Sequence, residues 1–160
     1  MIRLVLCRAL AAAAVSICLI PVACAGSPSS ADESTSSVDD GGISVHVDAN
    51  ANCPTSVAVN QSVALKSSVR YQVTNSGSSA RNVLIVEEVS DGEDHTARSE
   101  RSVRVPARSS ISDRATPRAV LRATYATPRV VVITTSLTIS DPESGNVYAD
   151  SSSSCSISVE

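Results

Sequence analysis

Phenylalanine and tryptophan are absent from the 160-residue chain, and its only tyrosines are Tyr71, Tyr125 and Tyr148. Any core must therefore be assembled from Val, Ile, Leu and Ala. Lysine is reduced to Lys66, so positive charge is almost entirely guanidinium. The only histidines are His46 and His95. No Cys-x-x-Cys pair is present to build a thiolate metal site, and no Gly-x-Ser-x-Gly elbow to present a serine nucleophile. A Ser-His-Asp set would have to use one of the two histidines. His46 falls on the polar face of a strand, and His95 follows "DGED". That acidic run lacks the ligand spacing of a calcium loop and reads as a solvated turn. The sequence thus assigns no catalytic residue, no metal ligand and no cofactor, and the chain reads as a non-enzyme. A net charge of −3 is too small to require a polyanionic partner or to exclude one. The length suits one domain.

What is present begins with an address. "MIRLVLCR" carries Arg3 and Arg8, the uncharged "ALAAAAVSICLI" follows, and Pro21 and small residues come next. This is the order of a signal peptide, read here over residues 1–23. The apolar run is shorter than the roughly 20 residues of a spanning helix, which favours a removed signal over a retained membrane helix. Without Arg3 and Arg8 the chain keeps 11 basic against 16 acidic residues, a net charge of −5. Export makes its partners extracytoplasmic and argues against nucleic acid.

Val22, Ala23 and Cys24 resemble the end of a bacterial lipoprotein signal, in which a small residue precedes the cysteine. The resemblance implies a diacylglyceryl group on Cys24, the first residue of the mature chain, and a membrane anchor on the extracytoplasmic side. Two acyl chains, at about 0.8 kcal/mol per buried methylene, hold stably where one is marginal. Pro21 departs from the aliphatic residue usual in that family. The same residues also offer Ala23-Cys24-Ala25 to ordinary signal peptidase, which would release a secreted protein. Residues 24–42, rich in Ser, Asp and Gly, read as a flexible tether.

Cys7 and Cys18 leave with the signal, and Cys53 and Cys155 remain at the two ends of the folded part. A pair in an oxidising compartment reads as a disulfide. Metal binding by two such distant cysteines is the poorer alternative.

From Ile43 to Glu160 apolar residues recur with period two: "ISVHVD", "VRYQVTN", "RSVRVP", "AVLRATYA" and "RVVVITTSLTIS", with "NVLIVEEV" and "CSISVE" beside them. Turn signals "NSGSS", "SDGED" and "SDPESGN" separate the runs. About seven short antiparallel strands predict an all-β sandwich over residues 43–160. Within "VRYQVTNSGSSARNVLIVEEVSDG", Tyr71, Val73, Asn75, Gly77, Asn82, Val83, Ile85 and Gly92 resemble bacterial cell-surface immunoglobulin-like repeats. That resemblance implies an immunoglobulin-like fold and a non-catalytic role in display, adhesion or recognition.

Arginines crowd the stretch from Arg98 to Arg129, opposed there only by Glu100 and Asp113. If their strands lie side by side, Arg101, Arg104 and Arg122 make a cationic face. Guanidinium forks suit carboxylate and phosphate, so an anionic envelope polymer or another envelope protein could dock there. The competing reading is a solvated outer face. The expectation is an exported, lipid-anchored envelope protein with a small binding or structural sandwich; the alternative is a secreted inhibitor or small envelope hydrolase.

Overall fold

In the computed structural model, which describes residues 34–38, 41–114 and 118–160, the chain is an all-β sandwich of two five-stranded sheets. The strands are β1 (Ser34–Val38), β2 (Ile43–Ala51), β3 (Ser56–Val57), β4 (Ser62–Asn75), β5 (Arg81–Ser90), β6 (Thr96–Val105), β7 (Ser109–Arg114), β8 (Val120–Thr124), β9 (Arg129–Ser140) and β10 (Val147–Val159). One sheet runs β1-β2-β4-β7, with β8 paired to the first part of β4; the other runs β3-β10-β9-β5-β6.

The two-residue period places the core as the sequence predicts. Ile43, Val45 and Val47 are buried on β2, and Val69, Tyr71 and Val73 on β4. Leu121 and Ala123 on β8 are buried with Tyr125 just beyond it, as are Val131, Ile133, Thr135, Leu137 and Ile139 on β9. Successive side chains of a strand point to opposite faces, so each run buries one parity and exposes the other. Two apolar clusters result. One gathers Val45, Val73, Ile85, Leu137 and Ile139; the other gathers Leu65, Val89, Tyr125, Ile133 and Ile157. Buried Glu87, Thr135, Ser151 and Ser153 lie between these clusters along their strands.

Three strands exceed the expected seven. β7 carries only Ile111 as an apolar residue, and β3 has two residues. β1 falls inside the stretch 24–42 read as tether, and pairs antiparallel with β2 from Ser34↔Asp48 to Val38↔Ser44. That part of the tether reading is corrected: backbone pairing at a sheet edge needs no apolar side chain, and polar residues suit an edge. Cys24 and the signal segment 1–23 lie outside the described residues.

The expected disulfide between Cys53 and Cys155 is formed, with Cα atoms 6.0 Å apart. It stands where the chain leaves β2 and crosses to the other sheet. Beyond it β3 runs parallel to β10, Ser56 beside Ser158 and Val57 beside Val159, whereas the other strand pairs among the described residues are antiparallel. Both segments advance in the same direction from their own half-cystine, Cys53 to Ser56 and Cys155 to Ser158.

Candidate functional site

Arg101, Arg104 and Arg122 are not assembled into one face. Arg101 and Arg104 stand three residues apart on β6 and so point to opposite sides of the sheet. Arg104 is exposed, opposite Asn82 of β5. Arg122 is exposed on β8, opposite Ala64 of β4 in the other sheet. Arg101 shares the parity of Val103 and Val105 and turns inward. That parity was available in "RSVRVP", where counting back two residues from Val103 reaches Arg101.

Inside the sandwich Arg101 ties the sheets together. Its Nη2 donates to Asp113 Oδ2 at 3.0 Å and to the Tyr71 hydroxyl. The Tyr71 hydroxyl donates in turn to Asp113 Oδ2 at 3.4 Å, and the guanidinium lies 5.3 Å from the Tyr71 ring centroid. Burial pushes the Tyr71 phenol above its ordinary value, while the Arg101 charge pulls the other way. Arg118 adds its Nη2 at 3.9 Å from Asp113, and its backbone N–H donates to Glu87 Oε2 at 3.3 Å. Glu87 is 1% exposed. Among the described residues Glu87 Oε1 and Arg101 Nε have no hydrogen-bond partner.

A second polar cluster closes the β5–β6 hairpin. Gly92, at φ +73°, supplies the left-handed turn residue. Asp91 Oδ1 accepts from the backbone N–H groups of Glu93 and His95, each at 3.1 Å. Asp91 Oδ2 meets His95 Nδ1 at 2.6 Å and accepts from the Tyr125 hydroxyl at 3.4 Å. Burial raises the Asp91 pKa, but the hydrogen bonds from His95 and the turn outweigh it and hold the carboxyl below its usual range. Burial and the Asp91 charge push the Tyr125 phenol up to about 12. Arg129 packs 5.3 Å from the Tyr125 ring centroid and pairs with Glu93 at 2.9 Å. The acidic turn is therefore an organised hairpin lock, with Asp91 directed at its own backbone. Among the described residues no group of three or more His, Cys, Asp or Glu is gathered to hold a metal ion.

On the outer side of the β1-β2-β4-β7 sheet a concavity of about 270 Å³ is lined by His46 and Asp48 of β2, Arg70, Tyr71 and Gln72 of β4, and Ser112 and Asp113 of β7. The register aligns His46, Gln72 and Ser112 in one row and Asp48 with Arg70 in the next. Sequence reasoning placed His46 on a polar face but could not find these neighbours, because they come from three strands. Asn75, a residue of the immunoglobulin-like pattern, is fully buried. Its amide donates to the carbonyls of Ser79, Val105 and Pro106, and its Oδ1 accepts from Gly77 N–H. No protein-family model matches the chain, and no curated protein sequence matches it.

Proposed function

We propose that this chain is an exported cell-envelope protein, anchored to the extracytoplasmic face of the membrane through lipid on Cys24, whose sandwich is a non-catalytic binding or structural module. The observation that carries the reading is the Cys53–Cys155 bridge, since a structural disulfide belongs to an oxidising compartment. The charged first segment, the apolar run and the small residues before Cys24 supply the route there.

The interior ionisable groups support a module rather than an enzyme. Asp91, Tyr125, Arg101 and Asp113 spend their hydrogen bonds on one another and on the backbone. The immunoglobulin-like assignment rests on the Tyr71 to Gly92 pattern, in which Asn75 pins the β4–β5 loop to the end of β6. An acidic envelope polymer or another envelope protein is the partner this module would meet.

The intact mass of the mature protein from its native host tests the reading. A chain that begins at Cys24, carries acyl groups and lacks two hydrogens for the disulfide is expected. An unmodified chain cleaved after Ala25 would make it a secreted protein. A full-length chain with free thiols would overturn export altogether.

A further inference from the structure

The concavity on the outer face of the β1-β2-β4-β7 sheet carries features that the fold does not use. Asp48 and Arg70 stand directly opposite one another on β2 and β4, a placement where opposite charges ordinarily pair. The ion pairs among the described residues are instead formed by His95, Arg98, Arg101, Arg118 and Arg129. Arg70 and Asp48 thus present an uncommitted guanidinium and an uncommitted carboxylate to the same hollow. Gln72 and Ser112 line it beside them, and each can donate and accept. The remaining wall carboxylate, Asp113, is already held by Arg101 and Tyr71.

We propose that this hollow binds a single sugar unit bearing a carboxylate. The guanidinium fork of Arg70 takes the carboxylate of the ligand in the bidentate geometry that arginine favours. The Asp48 carboxylate accepts from sugar hydroxyls, and Gln72 and Ser112 complete the ring of donors and acceptors. A volume of about 270 Å³ suits one pyranose ring and falls just under the roughly 300 Å³ at which drug-sized pockets begin. In the register Arg70 stands between Asp48 of β2 and Arg114 of β7, so the backbone sets a second arginine position beside it and this end of the hollow favours an anion. The Tyr71 ring is buried, 5% exposed, so stacking contributes little and a neutral sugar lacks the interaction that charge supplies.

This site deepens the binding-module reading and rests on it, yet the two fail separately. Titration in solution is indifferent to export, and the mass measurement is indifferent to ligand. The disulfide-bonded mature protein is titrated with glucuronate, glucose and inorganic phosphate by calorimetry, and backbone amide shifts of His46, Arg70 and Gln72 are followed by NMR. Glucuronate is expected to bind about tenfold more tightly than glucose, and Arg70→Gln to remove that advantage, as loss of a charge-assisted hydrogen bond implies. Asp48→Asn is expected to weaken glucuronate while leaving acetate unchanged or tighter. Both substitutions lie on the outer face, and unchanged melting confirms that each variant is folded. Equal affinity for glucuronate and glucose, absence of shifts at β2 and β4, or an Arg70→Gln variant that binds like the parent would each overturn the site.

Discussion

Arg101 of β6 and Asp113 of β7 meet across the gap between the two sheets, Nη2 to Oδ2 at 3.0 Å. β6 is an edge of one sheet and β7 an edge of the other, so this contact adds a charge-assisted hydrogen bond to the apolar packing of Val103, Val105 and Ile111 on the open side of the sandwich. Breaking such a pair by removing one partner leaves the other charge poorly solvated, at a cost of about 3–5 kcal/mol when fully buried. Arg101 keeps a side-chain exposure of 20%, which moderates the cost.

Arg101→Glu is accordingly expected to destabilise by about 3 kcal/mol or more, seen as a large drop in the urea midpoint. Arg104→Glu and Arg122→Glu, at exposed positions, should each stay within about 0.5 kcal/mol of the parent. Equal effects at all three positions would contradict the inward placement of Arg101.

Glu87 leads to the opposite sign. Its carboxyl is buried between the two apolar clusters, with one oxygen on Arg118 N–H and the other unpartnered. Glu87→Gln keeps an acceptor for Arg118 and removes a carboxyl from a low-dielectric site, so a gain of about 1 kcal/mol is expected in thermal or urea unfolding. A clear loss would contradict the cost assigned to the unpartnered carboxylate oxygen.

Acid should loosen the β5–β6 hairpin. The folded pKa of Asp91 lies below its ordinary value of 3.8. Its contribution is therefore complete above the unfolded pKa and is lost as pH falls through the lower folded value. Stability measured against pH should fall below about pH 4. Asp91→Asn should flatten that limb while lowering stability at neutral pH by about 2 kcal/mol. An acid limb unchanged by Asp91→Asn would assign it to other carboxyls.

The disulfide spans 102 residues of sequence. The chain-entropy model gives up to about 4.7 kcal/mol for a loop near that length, a large share of the 5–15 kcal/mol typical of a domain. Reduction, or the paired change Cys53→Ala with Cys155→Ala, should lower the melting midpoint sharply. The β3–β10 parallel pair should lose its amide protection first. A midpoint that does not move on reduction would rule out the bridge as a main support.

Much of this was readable in advance. Alternation in "ISVHVD", "VRYQVTN" and "RVVVITTSLTIS" identified the inward residues, because the pleat makes parity a local property of a strand. The same parity in "RSVRVP" holds the true position of Arg101, because a charged residue in an alternating strand follows the pleat as an apolar one does. β1 and β7 escaped because edge strands rich in Ser carry little apolar pattern, and β3 because two residues make no period.

The sequence by itself determined which side chains face inward along each long strand and which two cysteines were available to pair, since side-chain direction follows from backbone geometry within a few residues. Only the tertiary structure decided which strands became neighbours. That choice placed Arg101 against Asp113, kept Arg104 and Arg122 on different sheets, turned β3 parallel to β10, and brought Asp48, Arg70 and Ser112 around one hollow. Strand pairing joins residues far apart in the chain, and its energy comes from whole faces closing on each other, which no short stretch of sequence contains.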